Sequence, residues 1–198
     1  MSIPAELKRQ VELVKWINKT LSCPYKLSSR NQQLALPCFD LAVEHHAGIY
    51  LLGESRLYGS MYALLRVEFE ALARGIWLHH VASTENIAKY ENEDLKIGFG
   101  AMLKLIEEQL DISTSILSLI KNKQWDIFNS FTHTGYQALV RRVTMTHTGP
   151  INYSENEVIS ILRHAGLFAV LAATELANMT GDQKLIESTM DQARRYGE

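Results

Sequence analysis

A chain of 198 residues can bury a sizeable core in one domain, and 46% apolar with 21% charged residues is the make-up of an ordinary soluble globular protein. A net charge of −2 supplies no overall attraction to nucleic acid or anionic lipid, so neither is an expected partner. Two cysteines, Cys23 and Cys38, are too few for a disulfide framework, residues 1–15 lack an apolar leader, and no apolar stretch approaches the roughly 20 residues that cross a bilayer; a cytoplasmic protein without membrane contact is expected.

Apolar residues recur at three- and four-residue intervals through long segments, which predicts helices. The first spans about Ile3 to Leu21, with Leu7, Val11, Val14, Ile17 and Leu21 on one stripe, and stops near Cys23-Pro24 because proline disfavours a helical residue before it. Ser28 to Gln33 is a polar connector. A second helix runs from about Leu34 to Ser55, starting nearer residue 36 if Pro37 is to lie in its first turn. The third, Leu57 to Val81, is apolar on nearly every side and is expected to be central. Ser83 can cap a short helical turn, after which Asn92 to Asp94 opens a helix through Leu110. A fifth helix leads from Thr114 to Phe131, and a sixth continues to Met145, where Gly149-Pro150 stops it. Ser154-Glu155-Asn156-Glu157 is a capping box for a helix over Val158 to Met179, and Gly181-Asp182 sets off a final helix over Lys184 to Tyr196. No alternating run is long enough for a sheet. The expected fold is all-α, a single-domain bundle of six or seven helices over residues 1–198.

The string Thr-His-Thr-Gly occurs at Thr132 to Gly135 and again at Thr146 to Gly149. A continuous helix between the copies would hold His133 and His147 about 20 Å apart, too far to share a metal ion. The adjacent pairs His45-His46 and His79-His80 are no better placed, since helical neighbours point about 100° apart. No metal and no cofactor is expected. Arg66, Glu70 and Arg74 follow one another at four-residue steps on the third helix, within one sector that also holds Trp77. Two guanidinium groups on so apolar a helix must be paired or open to a cavity. They form either an interhelical ion-pair network, with Glu175 or Asp126 as partners, or a pocket in which a spare arginine offers its planar fork to an anion. Glu68, nearly opposite Arg66, faces something else.

Leu64 to Glu70, Arg74-Gly75-Ile76-Trp77-Leu78 and Phe131-Thr132-His133-Thr134-Gly135 together resemble an uncharacterised bacterial family of all-α proteins. The resemblance covers about residues 34–180, leaving the terminal helices as flanking elements. It implies that Arg66, Glu70, Arg74, Trp77, His133 and Gly135 belong to a family signature, and it implies no known activity. Arg142, followed by His147 after four intervening residues, also resembles the motif of metal-independent helical ribonucleases of the HEPN class, as do Arg74 and His79. That class prefers a polar residue directly after the arginine, where this chain has Val143 and Gly75. About one such match arises by chance in a chain of this composition.

The leading expectation is a self-associating helical protein, a homodimer through an apolar helix face, in which Arg66, Glu70, Arg74, Trp77 and His133 form a site for a small anionic ligand. The alternative is an endoribonuclease of the HEPN type, with His133, Arg142 and His147 as catalytic candidates activating the 2′-hydroxyl and stabilising the charged transition state.

Overall fold

The computed structural model describes residues 2–112, 116–149 and 152–197. Among them are nine α-helices and no strand, the one pairing of extended residues being an isolated bridge between Val143 and Thr148. The all-α class holds, with more helices than the six or seven expected.

Helix α1 (Ile3–Thr20) buries Leu7, Leu13 and Ile17 on one stripe, with Glu6 and Gln10 among them. Helix α2 (Arg30–Glu54) starts earlier than its proline suggested, because the Ser29 hydroxyl caps it by accepting from the Gln32 amide. Pro37 therefore lies inside the helix on an exposed face, and the Gln33 carbonyl loses its helical donor there. Helix α3 (Tyr58–His80) buries Met61, Leu65, Phe69, Leu72 and Leu78, and packs against α2 along its length. The Asn31 amide closes its far end, donating to the carbonyls of Leu78 and Ala82.

Ser83 caps a full helix, α4 (Thr84–Glu91), where a short turn was expected. The helix expected from Asn92 begins only at Phe99, as α5 (Phe99–Gln109). Asn92 instead ends α4, and Glu93 takes a left-handed backbone, φ 58°, that turns the chain away. Helix α6 (Ile116–Thr132) follows; the expected start at Thr114 lies outside the described residues. Helix α7 (Tyr136–Val140) is only five residues long and does not reach Met145. Beyond it the Gly149 amide donates to the Arg142 carbonyl and the Thr144 amide to that of His147, so the chain doubles back as a loop. Gly149 thus closes a loop, not a helix, and Pro150 lies outside the described residues.

Helix α8 (Glu155–Thr180) opens with the capping box that the sequence indicated, Ser154 and Glu157 bonding each other's backbone amides. It ends at Gly181 in the left-handed conformation, before α9 (Gln183–Gly197). One sequence expectation fails here: α8 is long and apolar enough to cross a membrane, with a mean hydropathy of 1.4 over its best window. Its many alanines raise that value, while Arg163, His164 and Glu175 break up the aliphatic run. Of that window 61% is buried inside the protein, which makes α8 a core helix.

The main core lies between α3 and its neighbours α2, α5, α6 and α8, with Phe69 stacked on Phe168 of α8 at 4.8 Å between ring centroids. A smaller cluster of Leu13, Ile17, Ala169, Val170, Ala173 and Tyr196 joins α1 and α9 to α8. The α2–α3 contact is tight at Gly75, where a Cβ would stand 2.5 Å from Cε1 of the fully buried Phe39. Gly75→Ala must displace that ring, and is expected to lower stability by about 1–3 kcal/mol. Urea denaturation checks this, and an unchanged midpoint would count against the packing account.

Candidate functional site

Gly59, Ala63, Arg66 and Glu70 succeed one another at four, three and four residues, one stripe along α3. The Arg66 Nε donates to Glu70 Oε1 at 2.9 Å, and its Nη1 donates to His133 Nε2 at 2.9 Å. A guanidinium has no acceptor, so this bond requires the neutral imidazole with its proton on Nδ1. The Trp125 ring of α6 lies beneath the guanidinium, 4.8 Å from its carbon. Arg66 is thus held on three sides, and His133 is exposed.

His133 gets there through the end of α6. Its amide still donates to Asn129, Thr132 Oγ1 back-bonds to the Phe128 carbonyl, and Thr134 takes φ 56°. That left-handed value is uncommon for a β-branched residue, a local strain that the surrounding bonds hold in place. The Gly135 amide then donates to the Ser130 carbonyl and the chain enters α7. The first Thr-His-Thr-Gly is a helix-to-helix corner, and the second lies in the loop after α7. The continuous helix that would have separated His133 from His147 is absent.

Beside this corner lies a groove of about 240 Å³, lined by Gly59, Ala63, Phe131, Thr134, Arg142 and Tyr153. Phe131 and Tyr153 give it an aromatic lining; Tyr62 stacks on Phe131 at 4.3 Å, and Tyr58 is edge-on to Tyr153 at 5.5 Å. The Tyr153 hydroxyl is buried without a hydrogen-bond partner among the described residues. Burial raises its pKa, against the pull of Arg142 and Arg141. Glycine at 59 leaves room here: a Cβ would stand 3.2 Å from that hydroxyl and 3.9 Å from Arg142 Nη1. Arg141 is engaged, its Nη2 on Glu157 Oε1 at 2.7 Å and its Nη1 on the Gln137 carbonyl. Arg142 is exposed, and no side-chain bond or ion pair joins it to any described residue.

Two other residues of the expected site stand apart. Arg74 lies two helical turns beyond Arg66, about 12 Å along the axis and 80° around it, in a different seam. There it stands 5.8 Å from the centroid of Tyr90, in a second groove with Leu34, Glu91 and Leu95. Burial raises the Cys38 and Tyr90 pKa values in that seam, and Arg74 opposes both shifts. Trp77 is 1% exposed, a core side chain whose Nε1 has no partner among the described residues. Arg142 and His147 belong to the loop after α7, and no bond joins their side chains; His147 Nδ1 lies 2.6 Å from Thr146 Oγ1.

Neither proposed partner of the arginines meets them. Glu175 Oε2 instead receives His80 Nε2 at 2.9 Å and His79 Nδ1 at 3.2 Å, so these neighbours do converge. The helical-wheel argument failed because it ignores which ring nitrogen each histidine offers and where the third group stands, above the seam on α8. Burial opposes ionisation of Glu175, yet bonds and charge from both imidazoles hold its pKa down to about 2. The sequence also offered no signal for Tyr153, or for the buried chain in which Gln10 links Glu6, Tyr196 and His46.

The chain belongs to DUF6988, a family of unknown function that matches residues 39–198. No curated protein and no solved structure matches it. The match includes Arg66, Glu70, Arg74, Trp77 and His133, and takes in the C-terminal helix that the sequence resemblance left as a flank.

Glu68, opposite Arg66, is fully buried, and neither carboxyl oxygen has a partner among the described residues. Burial pushes its pKa well above the usual carboxylate value. With the folded value above the unfolded one, its contribution to stability is full below the unfolded pKa and is lost as pH rises towards the folded one. Glu68→Gln should therefore gain on the wild type between pH 5 and pH 8, by up to about 1.4 kcal/mol per pH unit. Urea midpoints at the two pH values measure this, and a pH-independent difference would refute it.

Proposed function

We propose that this protein binds a small anionic ligand in the groove between α3, the α6–α7 corner and the segment around Tyr153. The reading rests chiefly on Arg142, which has no carboxylate among the described residues and stands over the same groove as the unpartnered Tyr153 hydroxyl. A phosphate or carboxylate there takes charge-assisted bonds from the arginine and a hydrogen bond from the tyrosine. The Arg66–His133 pair stands on the same α3 stripe and α6–α7 corner but does not itself line the groove, and Glu70 and Trp125 fix its guanidinium. Arg74 and Trp77, members of the expected site, have no part in this groove.

We also infer a homodimer through the apolar face of α7 and its following loop. Tyr136, Leu139, Val143 and Met145 are all at least half exposed within ten residues of chain. The free thiols of Cys23 and Cys38 are in keeping with a reducing, cytoplasmic setting.

Titration with inorganic phosphate, followed by calorimetry, tests the groove. Saturable binding is expected, weakened about 10- to 100-fold in Arg142→Ala, as for loss of a charged hydrogen-bond partner, and unchanged in Arg74→Ala. Absence of saturable binding, or wild-type affinity in Arg142→Ala, would overturn the reading. RNA cleavage that survives a chelator but is lost in His147→Ala would favour the endoribonuclease alternative instead. Sedimentation velocity tests the dimer: Leu139→Asp with Met145→Asp should leave a monomer where the wild type sediments as a dimer, and a monomeric wild type would refute it.

A further inference from the structure

We propose that His79, His80 and Glu175 form a binding site for a divalent transition-metal ion, with zinc as the ion to try first. This site is separate from the anion groove and does not rest on that reading. Its three ligand atoms, His79 Nδ1, His80 Nε2 and Glu175 Oε2, all lie within 4.8 Å of one another. Two of the three separations, 3.2 Å and 2.9 Å to the shared carboxylate oxygen, already match the spacing of neighbouring ligands. Atoms about 2.0–2.2 Å from one metal stand roughly 3.0–3.5 Å apart. Closing the third, nitrogen-to-nitrogen separation takes a small rotation of the imidazoles, whose centroids are 4.1 Å apart.

The chemistry of the set suits such an ion. Two imidazoles and one carboxylate are the mixed nitrogen and oxygen donors of zinc and non-haem iron centres, and hard cations such as magnesium prefer oxygen alone. Without a metal, a proton sits between each ring and the carboxylate. With one, each inward nitrogen gives up that proton, to its own outward nitrogen if the ring is neutral or to solvent if it is an imidazolium, its lone pair binds the ion, and each histidine carries its N–H on the outward nitrogen, Nε2 of His79 and Nδ1 of His80. Those outward nitrogens make no bond to any described residue and belong to partly exposed rings, so the required tautomers cost no buried donor.

The scaffold also favours a cation. His79 and His80 occupy the last turn of α3, at the negative end of the helix dipole. Asn31 pins that turn through the Leu78 and Ala82 carbonyls. Glu175 is fixed from the opposite side, on the stretch of α8 that buries Ala172, Leu176 and Met179. The three side chains remain 15–28% exposed, leaving solvent a route to the ion and at least one coordination position for water.

Equilibrium dialysis of the full chain against zinc chloride, after stripping with EDTA, tests the site. One equivalent is expected to bind, with affinity at least tenfold lower in His80→Gln and in Glu175→Gln, and unchanged in His147→Ala. Glutamine at 80 keeps a donor for Glu175 while removing the metal ligand, and far-UV circular dichroism of each metal-free variant shows whether it is folded. Cobalt supplies a second readout, because its visible absorption reports a four- or five-coordinate site and should vanish in the same two variants. Failure of the wild type to retain an equivalent of zinc would overturn the proposal. So would equal affinity in the folded His80→Gln and Glu175→Gln proteins.

Discussion

The candidate sites of this protein are arranged around the burial of α3. Its length against α2, with α5, α6 and α8 on the other flanks, leaves almost no face of it to water. Gly75 lets α2 come close enough for Phe39 to fill the gap, and Phe69 against Phe168 ties the same helix to α8. A helix enclosed in that way must send each charged side chain into a seam between neighbours, since an unpaired charge in the interior costs several kcal/mol. The sites lie where those seams open.

Each seam answers its charge differently. Arg66 shares its donors between Glu70, on its own helix, and His133, delivered by the α6–α7 corner. That ion pair, with Glu70 37% exposed, adds little to stability, and its effect is to hold the guanidinium in one orientation. Arg74 lies over Tyr90 in a wider groove, where its charge works against the burial of Cys38 and Tyr90. At the end of the helix, His79 and His80 meet Glu175, and the carboxylate stays ionised in spite of burial because two imidazoles address it. Glu68 is the exception: nothing among the described residues answers it, and the cheapest state of such a carboxyl is the neutral one.

Local chemistry was legible from the sequence where it acts within a few residues. The capping box at Ser154, the cap at Ser83 and the close of α8 at Gly181 are all as the sequence indicated. Pro37 misled because a proline penalty can be outweighed by a good cap eight residues upstream and by tertiary packing of the whole helix. The helix expected up to Met145 failed for the opposite reason. Residues 141–149 have too little apolar periodicity to bury, and backbone bonds across the loop replace those of the helix. Of the expected site, Arg66, Glu70 and His133 come together: a four-residue step encodes the first pair, and no local spacing brings in His133. Arg74 and Trp77 do not join them.

The residues that carry the resemblance therefore fall into two physical settings. Gly75 and Trp77 serve packing: the first admits Phe39, and the second lies wholly within the core. Arg66 and His133 are placed at a surface, where holding a guanidinium against an exposed imidazole contributes little to folding. A residue that stabilises the core and one that faces a groove look alike in a motif, and only their surroundings tell them apart. The same holds for His79 and His80. Their geometry depends on Glu175, 96 and 95 residues away, so helical spacing alone argued against a meeting that a second helix, α8, brings about.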